Sequence, residues 1–344
     1  MSSIKKTIKK IYISLVSILP IDNDKAVFCN FTGRGYGDSP KYIAEELHKR
    51  APNMKIIWLC SEKNALFPAY VTRVKLRSLR HYFEINTARI IISNVRVDLG
   101  LKKRNRQIYI QTWHAPFSPK KLELEAIDTL TEEYIRDARH DGFITDAILS
   151  NSSLLDNQYE RVFGLNENAE ILRVGLPRND FLIRNAKNED ICTEIRAKLN
   201  ISADQYIVLY APTFRDDYSS EGYKLLFENI RVTFERKMKK ECVMLIRLHP
   251  NAYKQLNEII FSKNIINITE YPDMQELAIA ADAVISDYSS VVFDFAILGK
   301  PSFICALDLQ HYIDTRGLLD EFYSFPFPHA YSNEELIDKI NTFD

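Results

Sequence analysis

Two histidines stand just beyond short apolar runs. His114 follows Ile108-Tyr109-Ile110 in the stretch Gln111-Thr112-Trp113-His114-Ala115-Pro116, and His249 follows Val243-Met244-Leu245-Ile246 in Arg247-Leu248-His249-Pro250. Imidazole titrates near neutrality, so a histidine held at a strand end can take a proton from a hydroxyl or neutralise charge on a leaving group. Thr213 and Arg215 follow a further run, Tyr206 to Tyr210, and Arg247 adds a cation beside His249. Ser289 and Ser290 lie between Ala283-Val284-Ile285 and the helix-period residues Val291, Val292, Phe295 and Leu298, which puts them on a strand-to-helix turn. The first turn of a helix offers unpaired N–H groups, and two hydroxyls add donors, so this turn suits a phosphate. The same serines also suit plain N-capping. Any one of these side chains alone reads as a turn residue. Several strand ends carrying such groups together point to a site that handles a phosphate and its leaving group.

The elements that must position these residues alternate along the chain. Ala26 to Cys29, Ile56 to Leu59, Ile90 to Ser93, Ile108 to Ile110, Ala147 to Leu149 and Glu170 to Leu172 read as strands, with helix-period segments such as Tyr42 to Lys49 and Leu154 to Phe163 among them. The alternation restarts with Tyr206 to Tyr210, Val243 to Ile246, Ala283 to Ile285 and Ser302 to Cys305. A helix opening at Asp273, with Glu276 three residues on, carries a capping-box signature. The pattern predicts an α/β protein of two doubly wound domains, with a cleft bounded by the carboxyl ends of their strands. We expect a first domain over 21–183, a polar linker over 184–200 and a second domain over 201–344. A length of 344 residues suits two cores better than one.

Composition excludes several classes. Forty-five basic residues against 46 acidic ones give a net charge of −1, which argues against a nucleic-acid partner. The five cysteines are scattered and odd in number, reading as buried thiols of a reducing compartment, and none has zinc spacing. Asp216-Asp217 reads as a solvated turn rather than a metal pair. Residues 1–20 differ from the rest: Ile4, Ile8, Ile11, Tyr12, Leu15, Ile18 and Leu19 share a helical face, and Lys5, Lys6, Lys9 and Lys10 crowd the early turns. Such a basic amphipathic helix suits an anionic membrane surface, or packing on the protein's own body. Tyr12, Ser14 and Ser17 interrupt the apolar run, which argues against a signal peptide.

The ordered set of motifs carries a resemblance. Gly37-Asp38-Ser39-Pro40-Lys41, Trp113-His114, Gly175-Leu176-Pro177-Arg178-Asn179-Asp180, Ala211-Pro212-Thr213-Phe214-Arg215, Leu248-His249-Pro250, Asp287-Tyr288-Ser289-Ser290, and Asp308 with Tyr312, Arg316 and Gly317 resemble the CDP-glycerol glycerophosphotransferase family of teichoic acid and capsule synthesis. The resemblance implies a GT-B-like architecture and a peripheral enzyme on the cytoplasmic face of the bacterial membrane. It implies transfer of glycerol phosphate, or ribitol phosphate, from a CDP-activated polyol to a polyprenyl-diphosphate-linked glycan acceptor. It also places Arg316 and Gly317 near the donor. Ala115 stands where the family usually has glycine, and the compact chain resembles the priming enzymes and short capsule transferases.

On this reading His114 is the general base, and His249, Thr213, Arg215, Arg247, Ser289 and Ser290 bind the donor and neutralise the departing CMP. No tightly bound cofactor or metal is expected. A Mg²⁺ carried by the substrate diphosphate is compatible with the sequence and not required by it. The rival classes are a nucleotide-sugar glycosyltransferase of the same fold and a membrane-associated scaffold without turnover.

Overall fold

The computed structural model describes residues 3–96, 100–215, 217–249, 252 and 255–343. The chain divides into two compact units, residues 1–116 with 123–178, and residues 117–122 with 179–344. The first opens with helix α1 (Ser3–Val16). Strands β1 (Asp22–Cys29), β2 (Lys55–Cys60), β3 (Val71–Lys75), β4 (Ala88–Ser93), β5 (Ile108–Gln111), β6 (Ala147–Ser150) and β7 (Glu170–Arg173) form one parallel sheet. Helices α2 (Asp38–Arg50), α3 (Leu79–Thr87), α4 (Glu132–Ile144) and α5 (Ser153–Val162) lie between strands, and α6 (Pro177–Asn185) leads out of the unit.

A parallel strand is buried on both faces, so its successive residues serve two cores. In β1, Ala26 and Phe28 enter one core with Ile56 and Trp58, whereas Val27 and Cys29 enter the other with Ile57 and Leu59. The strand order is β3-β2-β1-β4-β5-β6-β7, so the direction of winding reverses between β1 and β4.

The second unit repeats this plan with α7 (Glu189–Lys198), β8 (Tyr206–Tyr210), α8 (Phe227–Met238), β9 (Cys242–Ile246), β10 (Ile265–Asn267), α9 (Met274–Ala280), β11 (Ala283–Ser286), α10 (Val291–Ile297), β12 (Ser302–Cys305), α11 (Leu309–Arg316), β13 (His329–Ala330) and α12 (Asn333–Thr342). Its sheet order is β10-β9-β8-β11-β12-β13, with the reversal between β8 and β11. Ile207 and Leu209 of β8 face one core, and Tyr206, Val208 and Tyr210 face the other. Cys29, Cys60, Cys242 and Cys305 are all buried and unpaired. Burial pushes the thiols of Cys29, Cys242 and Cys305 up to about 12.

The stretch 184–200, expected as a linker, is instead structure belonging to the second unit. Helix α7 buries Ile195 against the second unit's core. The Arg196 guanidinium donates to the Ala280 carbonyl at 3.0 Å and to both oxygens of Asp282 at 2.9 Å. Ile191 and Cys192 pack beside Ile195 only partly buried, so the helix has no long apolar run and its sequence reads as polar.

Helix α1 also differs from a simple one-sided anchor. Val16 and Ser17 are buried, the Lys9 ammonium lies 4.9 Å from the centroid of the Tyr82 ring, and Tyr12 is half-buried. Ile8, Ile11, Leu15 and Ile18 recur along the opposite side, 57%, 58%, 58% and 78% exposed. One side of the segment thus packs on the body of the unit, as one of the two expectations had it, and an apolar stripe stays in solvent. Among the described residues no helix is long and apolar enough to cross a membrane.

Candidate functional site

In open parallel sheets, ligands bind beyond the carboxyl ends of the strands where the winding reverses. Each unit carries a polar cluster at that position.

In the first unit the cluster joins the ends of β1, β4 and β5. The His114 ring nitrogen Nδ1 lies 2.8 Å from the Asn94 carbonyl oxygen. A carbonyl only accepts, so Nδ1 carries the proton of this bond. That is the tautomer a general base needs. The ring packs 4.3 Å from Trp113, and the edge of Phe31 meets it at 5.2 Å. Trp113 adopts φ +49°, and its N–H donates to the Gln111 side chain at 3.0 Å, which turns the chain sharply before the histidine. Elsewhere in this unit two motifs far apart in sequence meet, where Arg178 Nη1 donates to Asp38 Oδ2 at 3.0 Å with both side chains buried.

Three residues after His114 the chain is already part of the second unit. Lys121 donates its N–H to the Gly317 carbonyl at 3.3 Å, Leu319 donates to the Pro119 carbonyl at 2.7 Å, and Phe117 packs on Phe325. Gly317 has φ +79°, and a Cβ there would lie 2.8 Å from the Lys121 side chain.

In the second unit the cluster joins the ends of β8, β11 and β12 around Arg215. Its guanidinium donates to Asp308 at 2.6 and 2.9 Å, to Asp287 at 2.8 Å and to the Thr213 carbonyl at 2.5 Å. Tyr288 and Tyr312, stacked on each other at 3.7 Å, lie 5.0 Å from it, and Gly222 leaves no room beside it for a Cβ. Burial alone would lower the arginine pKa, and the two carboxylates more than reverse this and raise it. Arg215 is 2% exposed. The cation expected to meet a donor is paired with two internal carboxylates and holds three loops together.

The same carboxylates position what surrounds them. Asp287 accepts the Thr213 N–H at 2.7 Å, and Tyr288 donates its hydroxyl to Asp308 at 3.1 Å. The Thr213 hydroxyl is buried and has no hydrogen-bond partner within the protein. Ser289 and Ser290 are half-buried; the Ser290 hydroxyl makes no capping bond, and Ser289 accepts from Val291 N–H only at 3.4 Å. Capping thus leaves most of the bonding capacity of these hydroxyls to other groups. Helix α10 is only seven residues long, so the hydroxyls rather than a macrodipole carry the anion-binding argument.

The His249 ring lies 5.2 Å from that of Phe214, the residue between Thr213 and Arg215. The Arg247 guanidinium donates to the Tyr271 carbonyl at 3.2 Å. Arg316 is the last residue of α11, whose N-cap Asp308 belongs to the Arg215 cluster, so its backbone stands one helix length, ~12 Å, from that of Asp308. Asp217 pairs with His311 at 2.6 Å. Asp216 and Pro250 lie outside the described residues. Sequence reasoning did not single out Asn94, Asn30 or the roles of Asp287 and Asp308. For the two acids the signal was present, since each is a carboxylate just beyond a strand.

Comparison with known proteins gives a consistent set of likenesses. Residues 11–344 match the model of the family described as CDP-Glycerol:Poly(glycerophosphate) glycerophosphotransferase. A teichoic acid poly(glycerol phosphate) polymerase of Staphylococcus epidermidis is 34% identical over 83% of this chain, and the chain spans only 40% of that relative's length. A teichoic acid glycerol-phosphate transferase of Staphylococcus aureus is 28% identical over 99% of this chain and 91% of its own. Among solved structures, a variant of the wall teichoic acid polymerase TagF soaked with CDPG superposes with a TM-score of 0.84 at 30% identity, covering 98% of this chain and 86% of that one.

Removing the Arg215 cation would leave Asp287 and Asp308 buried and unpaired. Arg215→Ala is therefore expected to lose about 3–5 kcal/mol of stability in urea unfolding. Parent-like stability with a selective loss of donor affinity would return Arg215 to a donor-binding role.

Proposed function

We propose that this chain, which belongs to the CDP-glycerol:poly(glycerophosphate) glycerophosphotransferase family, transfers glycerol phosphate from CDP-glycerol to a hydroxyl of a lipid-linked glycan acceptor and releases CMP. The product is a cell-surface polymer of the teichoic acid or capsule type. The observation that carries this reading is the 2.8 Å approach of His114 Nδ1 to the Asn94 carbonyl, in a chain matched to that family over nearly its whole length.

In this reaction His114 Nε2 takes the proton of the acceptor hydroxyl as its oxygen attacks the phosphorus bearing glycerol. The bond from that phosphorus to the bridging oxygen breaks, and CMP leaves with that oxygen and its negative charge. Thr213, Ser289 and Ser290 donate hydrogen bonds to the diphosphate, and Arg247, His249 and Arg316 neutralise the charge that accumulates. Positioning and electrostatics suffice for phosphoryl transfer, so no covalent enzyme intermediate is needed. Arg215 takes part only by keeping the loops in place.

The test is to incubate the protein with CDP-glycerol, CDP-ribitol and a panel of nucleotide sugars and record which donor is consumed. We expect CDP-glycerol consumption that falls at least ~10²-fold in His114→Ala with folding unchanged. Consumption of a nucleotide sugar alone would overturn the reading, and parent-level turnover in His114→Ala would remove it as the base.

The acceptor's lipid requires access to a membrane, and the exposed stripe of α1 suits that role. Leu79 and Phe83 of α3 are also exposed, 59% and 37%, on the helix against which α1 packs, and Lys10 is exposed beside the stripe. Apolar side chains enter the acyl boundary while lysines meet anionic headgroups. Changing Ile8, Ile11, Leu15 and Ile18 together to serine is expected to abolish co-sedimentation with anionic vesicles while leaving the melting temperature unchanged. Binding that survives these changes, or that ignores salt and anionic lipid content in the parent, contradicts the membrane role.

A further inference from the structure

We propose that Asn94 is the positioning residue of His114, fixing both the tautomer and the orientation of its imidazole, with Asn30 acting through it and Phe31 held by it. This rests on the reading of His114 as the base. Asn94 and Asn30 stand just beyond β4 and β1, the two strands between which the first sheet reverses. They are 0% and 4% exposed.

The orientation of both amides follows from their fixed ends. The Phe31 backbone N–H can only donate, and it donates to Asn94 Oδ1 at 2.8 Å. Asn94 Nδ2 must then face away from it, and it donates to Asn30 Oδ1 at 2.8 Å. Asn30 Nδ2 in turn donates to the Gly35 carbonyl at 3.2 Å, a group that can only accept. A flip of either amide would set donor against donor or acceptor against acceptor, so the chain of bonds has one polarity. Asn94 is thereby clamped through its side chain, and its own carbonyl is held where the His114 Nδ1–H meets it at 2.8 Å.

The same amide reaches the imidazole from a second side. Phe31, Thr32 and Gly33 form a run of left-handed residues at φ +38°, +58° and +89°. Bulky residues adopt that conformation only when their surroundings impose it. The bond from Phe31 N–H to Asn94 supplies one such constraint and sets the Phe31 ring edge-on to the imidazole at 63°. One buried amide thus fixes a carbonyl at Nδ1 and an apolar wall against the ring. Loss of the clamp frees the carbonyl, and neutral imidazole then divides between its two tautomers, only one of which offers Nε2 as a base.

The experiment compares Asn94→Ala and the milder Asn30→Ala with the parent, using donor turnover, the melting temperature and the ¹⁵N spectrum of the His114 ring. Asn30→Ala leaves the bond from Phe31 to Asn94 in place, so it tests the clamp even where Asn94→Ala fails to fold. We expect turnover to fall about 10- to 100-fold with the KM for CDP-glycerol unchanged. The acid limb of the turnover profile should move, and the ring should pass from a single Nδ1–H form to a mixture. A folded variant with parent turnover and the parent tautomer overturns the inference, as does a parent spectrum with Nδ1 bare. A fall in melting temperature alone, with tautomer and turnover kept, also overturns it by reducing Asn94 to a packing role. His114→Ala, measured alongside, separates the two failures. Parent-level turnover in that variant removes the base role, whereas an inactive His114→Ala beside fully active Asn94 and Asn30 variants removes only the positioning role.

Discussion

One guanidinium shared by two buried carboxylates governs the second unit. Arg215 faces Asp287 and Asp308, three charged groups that are 2%, 2% and 6% exposed and sum to one negative charge. Burying charge is unfavourable unless every lone pair and proton is used. Here the surplus is spread over the Thr213 N–H, the Tyr288 N–H and the Tyr288 hydroxyl. Because those donors sit on different loops, satisfying the charges also fixes the loops. The ends of β8, β11 and β12 become a single rigid surface, and Thr213, Ser289 and Ser290 ride on it.

The first unit solves the same problem without charge. Its strands β1, β4 and β5 end in Asn30, Asn94 and His114, and a chain of amide bonds replaces the ion pairs. The difference suits the chemistry proposed. A base beside a buried carboxylate would have its proton affinity raised, whereas a carbonyl fixes the tautomer with a smaller electrostatic effect. Around a diphosphate, by contrast, a network whose carboxylates already accept from Arg215, Thr213 and Tyr288 leaves neighbouring hydroxyls to donate elsewhere. Both clusters lie where the sheets reverse, so the fold accounts for their placement and the side chains for their division of labour.

Among the described residues ten of the thirteen strands are legible as apolar runs, and the three that are not, β3, β10 and β13, are all at sheet edges. An edge strand has one neighbour and less to bury, so Val71–Lys75 has only Val71 and Val74 as apolar residues and His329–Ala330 is too short to show a pattern. The segment of helix α7 reads as polar and helix-prone, but its docking on the second unit is not legible, since a guanidinium does much of that docking. Side-chain roles divide along similar lines. His114 could be read from its type and its position after a strand. Arg215 could not, because its partners lie 72 and 93 residues away and a cation near phosphate-suited groups looks like a ligand-binding one. The amides of Asn30 and Asn94 carry no signal in a single sequence, because only the fold brings β1 and β4 side by side.

The central claim is that the surface built around Arg215 presents hydroxyls to the diphosphate of the donor. Titration calorimetry of CDP-glycerol into the parent and into the Ser289→Ala, Ser290→Ala double variant tests it most directly, because the two serines contribute little to the helix they precede. Hydrogen bonds to a charged group are each worth about 1.5–3 kcal/mol, so the account predicts an affinity at least ~10-fold weaker at an unchanged melting temperature. An unchanged affinity in the double variant would contradict it.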